Sequence, residues 1–200
     1  SIVVLDVDTG EVLAMANQPS YNPHNRKNLN DFSVLRNRAI TDVFEPGSPI
    51  KAFTVTAALE SGMYTPDTVI ETSPGWMMVN GHEVQDILNY GTLDLTRVIT
   101  KSSNIGATKI AFEIGPDPIR DVLERVGMGQ VSGTGFPGEQ GGVLPNHRSW
   151  SRIETATFSF GYGLSTTALQ LARAYSVIAD DGIRKPVSLL KLDEDNLRAL

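Results

Sequence analysis

Glu45-Pro46-Gly47-Ser48-Pro49-Ile50-Lys51 runs directly into a stretch where Phe53, Ala57 and Leu59 recur at helical spacing, and Gly62 suits the left-handed position beyond its end. The reading is a glycine turn feeding a helix over Lys51 to Ser61. Ser48 and Lys51 are three apart, and residues at i and i+3 share a helix face, about 5–6 Å apart at Cβ. Their side chains can therefore meet. A serine hydroxyl is a weak nucleophile until a neighbour takes its proton, and a desolvated lysine with a lowered pKa can take it. N–H groups at a helix start point outward and favour negative charge, so the Ser48 N–H suits one arm of an oxyanion hole. Pro49 fits the first helical position, where its missing N–H costs nothing. Gly47 leaves room for a close-approaching substrate.

Spacing alone is weak ground. At ordinary serine and lysine usage, on the order of one chance Ser-x-x-Lys is expected in a chain this long. Ser188-Leu189-Leu190-Lys191 is such a match; it follows Pro186 in an extended-looking stretch with no helix start. Taken alone, Ser48 and Lys51 also fit a helix cap beside a solvated surface lysine.

Before this turn, Ile2-Val3-Val4-Leu5-Asp6-Val7 and Val12-Leu13-Ala14-Met15-Ala16, joined through Asp8-Thr9-Gly10-Glu11, predict a β-hairpin. Residues 17–33 read as a loop, and residues 63–91 as mixed structure with Pro66, Pro74 and several glycines. A helical period runs from Leu93 to Ile114, broken around Ser102-Ser103-Asn104 and closed by Gly115. Asp117-Pro118 suggests a short helix, with Asp as cap, ending near Gly127. Residues 127–149 read as a glycine-rich loop. Ser165 or Thr166 can cap a helix carrying Leu169, Ala172, Tyr175 and Ile178 to Gly182, and Leu189-Leu190 can begin another element. The organisation is one domain of α/β (α+β) type over residues 1–200, strands first and helices after, with no convincing linker.

Composition removes several classes of function. The 200 residues carry 17 Lys and Arg against 23 Asp and Glu, a net charge of −6, which offers no basic excess for a nucleic-acid backbone. Cysteine is absent, which excludes a thiol nucleophile, a disulfide framework and a thiolate metal site. His24, His82 and His147 are far apart; His82-Glu83 lacks the second histidine of a metal helix and reads as solvated surface, so no metal is expected. No apolar run is long enough to span a bilayer, and no signal peptide is visible. The chain opens at Ser1 and is expected to be a piece of something longer.

Ser102-Ser103-Asn104 carries the second chemical signal. A hydroxyl and a carboxamide two apart on a turn can face one cleft, Ser102 relaying a proton and Asn104 holding a substrate amide through its donor and acceptor. The residues equally suit a cap for the helix that follows. Ser20-Tyr21-Asn22 matches the pattern in the wrong order. Ser-x-x-Lys at a helix start, followed about fifty residues later by Ser-x-Asn, is the order of parts in the serine acyl-transferases that bind β-lactams.

With Val4-Leu5-Asp6-Val7-Asp8-Thr9-Gly10-Glu11-Val12-Leu13-Ala14-Met15, Phe44 to Ser48, Gly91-Thr92-Leu93-Asp94-Leu95, Ile99 to Asn104, Phe158-Ser159-Phe160-Gly161-Tyr162-Gly163 and Leu169 to Tyr175, the chain resembles, almost end to end, the transpeptidase domain of class B penicillin-binding proteins, nearest to the septal (penicillin-binding protein 3) type. The resemblance implies the penicillin-binding protein/β-lactamase-like fold, a peptidoglycan D,D-transpeptidase working through a serine acyl-enzyme, and β-lactams as mimics of the stem-peptide substrate. Ser48 would be the nucleophile, Lys51 its base, and Ser102 and Asn104 the second motif. Glu45, Ser103, Tyr162 and Gly163 would contact substrate, with Tyr162 a cleft wall or simply a packed loop aromatic. No cofactor is implied. A periplasmic domain anchored in the inner membrane, within a cell-division complex alongside a glycan polymerase, is implied too.

The chain departs from the family pattern at one large feature: no Lys-Ser/Thr-Gly follows the Tyr175 helix, and Lys185-Pro186-Val187 is not it. The later strands that would pair with the 2–16 hairpin are missing as well, leaving an expected open edge. The expectation is a chain truncated before that motif and inactive by itself. Pro49, where septal enzymes usually carry Thr, is a smaller departure. A hydrolase of carboxypeptidase or β-lactamase type and a β-lactam sensor domain share the same acylation residues and stand as alternatives. Gly133-Thr134-Gly135-Phe136-Pro137-Gly138 matches a dinucleotide fingerprint only formally, because no apolar strand precedes it and Pro137 interrupts it.

Overall fold

The computed structural model describes residues 1–25, 31–146 and 148–193, and its contacts group them into two compact units, each built from separate stretches of chain. It is of mixed α/β type, as expected. Part of the predicted loop, residues 26–30, lies outside the described residues, as does His147.

The first unit gathers residues 1–44, 126–143 and the chain from Thr166 onward. Strands β1 (Ile2–Leu5) and β2 (Val12–Ala16) form the predicted antiparallel hairpin, pairing Ile2 with Ala16 and Leu5 with Val12 around an irregularity at Val4/Leu5. Alternation along β1, and the register irregularity opposite Val4/Leu5 on β2, bring Val3, Leu5, Val12 and Met15 onto a small core of Ile40, Leu169 and Val187. The rim of the hairpin is met by a bridge: Val12 N–H donates to the Ser188 carbonyl at 2.8 Å, and Ser188 N–H to the Gly10 carbonyl at 3.0 Å. That bridge is the extent of regular structure around Leu189-Leu190 among the described residues.

Helix α1 (Arg38–Thr41) is short, and helix α7 (Ala168–Ala179) supplies Leu169 to the core. The cap of α7 is Thr167, not Ser165 or Thr166. Thr167 and Gln170 form a reciprocal capping box, while Thr166 is committed to backbone pairing with Phe44 at 3.0 Å in both directions.

The second unit holds residues 45–125 and 144–165. Helix α2 (Lys51–Glu60) follows a 3₁₀ turn at Ser48–Ile50 and buries Phe53, Thr54, Val55, Ala57 and Ala58. Residues 63–91, expected only as mixed structure, contain three strands. β3 (Val69–Glu71) pairs antiparallel with β6 (Thr92–Asp94), setting Ile70 opposite Leu93. β4 (Trp76–Val79) and β5 (His82–Gln85) form a hairpin whose turn residues, Asn80 and Gly81, have φ of 49° and 83°. Asn-Gly at two positive-φ positions is the preferred chemistry for that turn.

The Leu93–Ile114 period resolves into β6, α3 (Leu95–Thr100) and α4 (Asn104–Ile114), broken at 101–103 as predicted. Helix α5 spans Pro116–Arg125, so Asp117 lies inside the first turn and is not its cap. Pro116 supplies a preset helical φ immediately after Gly115, and the Asp117 carboxylate still meets the positive end of the helix. A further helix, α6 (Arg152–Ser159), was not anticipated; Ser151 and Glu154 cap it with a reciprocal box.

Two apolar clusters set these parts. One joins α2, α3, α4 and the β3–β6 pair through Val55, Ile70, Leu93, Val98 and Ile110. The other joins the β4–β5 hairpin to α4 and α6 through Val79, Val84, Ala107, Ala156 and Phe160. The start of α4 and the α3–α4 break lie between these two clusters, and the β4–β5 hairpin is fixed to the second. No helix among the described residues is long and apolar enough to cross a membrane.

Candidate active site

All eight residues singled out from the sequence lie in the second unit. Ser48 opens the 3₁₀ turn and is exposed, while Lys51, one turn on, is only 2% exposed. The Lys51 ammonium reaches three oxygens: Ser48 Oγ at 3.1 Å, Ser102 Oγ at 2.9 Å and the Ser102 carbonyl at 2.6 Å. Ser102 Oγ lies 2.9 Å from Ser48 Oγ and closes the triangle. Ser48 and Lys51 thus meet as their spacing suggested, and Ser102 joins them from 51 residues further along the chain.

The amine sits where its charge is costly. Burial pulls the Lys51 pKa from 10.5 down to about 8, against an opposing pull from the Asp86 carboxylate. Of the three oxygens around it, the carbonyl can only accept, so it must receive an N–H. The two hydroxyls can accept or donate. A neutral Lys51 therefore keeps two N–H donors and turns its lone pair to a hydroxyl, which is the arrangement needed to take a proton from Ser48.

Ser102 holds a φ of +55°, a left-handed backbone that costs a residue with a Cβ on the order of 1 kcal/mol. That conformation points both its hydroxyl and its carbonyl at Lys51. Asn104 begins α4, and its side-chain Nδ2 donates to the Gln85 carbonyl at 2.9 Å. Its second amide hydrogen and its oxygen can pair with a further amide, through one donor and one acceptor. Asn104 borders an open cavity of about 410 Å³, together with His82, Glu83, Thr157, Phe160 and Tyr162. His82 and Glu83 are both exposed, as read from the sequence. Tyr162 is half-exposed and stands edge-on to Phe160, with ring centres 5.9 Å apart.

Glu45 and Gly163 meet each other: the Glu45 carboxylate accepts the Gly163 N–H at 2.9 Å. Nearby, Gly47 N–H donates to the Gly161 carbonyl at 3.0 Å. A Cβ on Gly161 would lie 2.0 Å from the Gly47 carbonyl oxygen, so only glycine permits this approach. One side-chain and one backbone–backbone hydrogen bond thus tie the 161–163 loop to the Ser48 turn.

Ser103 is a correction. It is completely buried; its hydroxyl donates to Asp86 at 2.6 Å and accepts the Gly106 N–H at 2.8 Å. It caps α4 from inside and offers no surface to a substrate, because the left-handed turn at Ser102 sends adjacent side chains in opposite directions. Asp86 is the group that the sequence reading passed over. The Asn80-Gly81 signal would have located the hairpin before it, but its partners lie 17–19 residues further along the chain, beyond the reach of any local pattern. Among the described residues no cluster of three or more metal-ligating side chains forms.

Comparison with known proteins adds the family. The family model for the penicillin binding protein transpeptidase domain matches residues 1–199. The chain is 47% identical over 196 residues to the probable peptidoglycan D,D-transpeptidase PbpC of Pseudomonas aeruginosa, covering 98% of this chain and 34% of that protein. It is 48% identical over 193 residues to peptidoglycan D,D-transpeptidase FtsI of Escherichia coli, covering 96% of this chain and 32% of that protein. The chain therefore spans about a third of the length of these relatives. A crystal structure of a peptidoglycan glycosyltransferase from Burkholderia ambifaria superposes with a TM-score of 0.85 at 47% identity, over 96% of this chain and 57% of that one. The apo TP domain of penicillin-binding protein 3 from Burkholderia pseudomallei gives 0.84 at 44% identity, over 96% and 54%. On the match across 1–199 and these identities, the chain belongs to the penicillin-binding protein transpeptidase domain family.

Proposed function

We propose that residues 1–200 belong to a transpeptidase domain whose parent protein cross-links peptidoglycan stem peptides through a Ser48 acyl-enzyme. One observation carries the reading: a lysine amine, 2% exposed, lies within hydrogen-bonding reach of both the Ser48 and Ser102 hydroxyls. Neutral Lys51 takes the Ser48 proton as Oγ attacks the carbonyl between the last two D-alanines of a stem. The oxyanion forms beside the Ser48 N–H. The proton moves through Lys51 or Ser102 to the departing D-alanine nitrogen, the C–N bond breaks, and the acyl group stays on Ser48. An amine of a neighbouring stem then attacks the ester and gives up its proton by the same route, and Ser48 is released with its hydrogen. Asn104 holds the substrate amide, and Tyr162 walls the cleft. The family's Lys-Ser/Thr-Gly strand is expected to supply the second oxyanion donor. A β-lactam presents its ring amide in place of the D-alanyl bond and acylates the same oxygen.

By the same family likeness the substrate is periplasmic peptidoglycan, the parent is anchored in the inner membrane, and its setting is septal wall synthesis within a division complex that includes a glycan polymerase. The test is labelling of the intact protein with a fluorescent penicillin. Wild type is expected to hold a long-lived adduct and Ser48→Ala none. Label on the Ser48→Ala variant overturns the nucleophile, and rapid turnover of the penicillin marks a hydrolase instead.

A further inference from the structure

Asp86 follows β5, and its backbone N–H donates to the Gly75 carbonyl at 2.9 Å, so the hairpin fixes its place. Its side chain is 9% exposed. One carboxylate oxygen accepts the Ser103 hydroxyl at 2.6 Å; the other accepts the N–H of Asn104 at 2.6 Å and of Ile105 at 3.1 Å. These N–H groups open α4 and have no partner within the helix. The Ser103 hydroxyl in turn accepts the Gly106 N–H at 2.8 Å. Residues 103–106 are thus held by one carboxylate, directly or through one hydroxyl. Directly before them stands Ser102 with its φ of +55°, and a residue so held persists only where its surroundings over-determine it.

We propose that Asp86 is a positioning residue for acyl transfer: its carboxylate locks the start of α4 so that Ser102 stays turned onto Lys51 and Asn104 stays at the cavity. The proposal rests on Ser48 being the nucleophile. The groups facing the amine from its own turn and from the α3–α4 break are the Ser48 hydroxyl and the Ser102 hydroxyl and carbonyl, all uncharged. The Asp86 carboxylate favours the ammonium form of Lys51 and so opposes the larger effect of burial. Loss of Asp86 therefore has two opposed consequences. The turn loosens, which slows acylation; the amine loses its proton more readily, which helps acylation at low pH.

The test is the rate of acylation by a fluorescent penicillin, measured on the intact protein from pH 6 to pH 10. Wild type is expected to rise to a plateau with a midpoint near pH 8. In Asp86→Asn the plateau should fall by about tenfold to a hundredfold, the scale of a misplacement of about 1 Å. Its midpoint should move to lower pH, so that the deficit narrows as pH falls. An unchanged plateau, or a lowered plateau with an unmoved midpoint, overturns the proposal. Asp86→Glu keeps the charge but shifts the carboxylate by one methylene, and should lower the plateau with the midpoint held. Should the Asn variant not fold, a wild-type plateau in the Glu variant overturns the proposal by itself. Label retained by Ser48→Ala strikes instead at the nucleophile, and is thereby told apart from a failure of Asp86.

Discussion

Ser48-Pro49-Ile50-Lys51 and Ser188-Leu189-Leu190-Lys191 share one spacing and end in opposite situations. Ser48 starts a helical turn, its lysine is buried, and a second hydroxyl from Ser102 completes the set. Ser188 lies in an extended bridge to the hairpin rim. Its hydroxyl is engaged locally, donating to the Leu190 carbonyl at 2.7 Å and accepting the Leu190 N–H at 3.2 Å, and Lys191 is exposed. The chain bends at Leu189-Leu190 without entering a helix, and the Ser188 hydroxyl is turned onto the Leu190 backbone, so nothing brings it to the Lys191 amine. A serine–lysine pair gains chemistry from a helical turn that brings the two together and from a core that desolvates the amine. Spacing supplies neither.

The comparison breaks most visibly at the lysines. Lys51→Ala should lower the rate of penicillin acylation by about 10²–10⁴-fold, the usual contribution of a positioned proton acceptor. Lys51→Arg should not restore it, because a guanidinium stays protonated. Lys191→Ala should acylate like wild type. An equal loss in the Lys51 and Lys191 variants would dissolve the distinction between the two pairs.

A smaller effect sharpens the role of the residue between the motif members. Ser103→Ala removes a buried cap of α4 and should cost about 0.5–2 kcal/mol of stability, read as a lowered unfolding temperature. Ser188→Ala, whose hydroxyl serves only an exposed turn, should shift stability by no more than about 0.5 kcal/mol. A Ser103→Ala variant that unfolds like wild type would contradict its role as a cap of α4.

What could be read from the residues follows a physical line. The 2–16 hairpin and α2 rest on neighbours in sequence, and the break at 102–104 shows because the helical period visibly stops there. The Ser151–Glu154 capping box and the Asn80-Gly81 turn were equally local, yet the α6 helix is short and the hairpin strands carry few residues each. Thr166 reads locally as a cap, but its pairing with Phe44 is a long-range contact that no local pattern reveals. Ser103 was misplaced for a similar reason. Whether a serine in Ser-Ser-Asn faces the cleft or the core depends on the left-handed backbone of Ser102 and on a carboxylate 17 residues upstream. The two hydroxyls and the amine could be named from their order; their convergence, and the burial that moves the amine toward neutrality, belong to the packed core.

The most direct test of that convergence is the acylation rate of Ser48 in the intact protein as a function of pH. With the Lys51 pKa lowered from 10.5 to about 8, the neutral amine becomes scarcer as pH falls below that value. The rate should therefore drop about tenfold per pH unit on the acid side and level off above about 8. A rate that stays flat from pH 6 to pH 9, or that falls as pH rises, would contradict Lys51 as the group that takes the Ser48 proton.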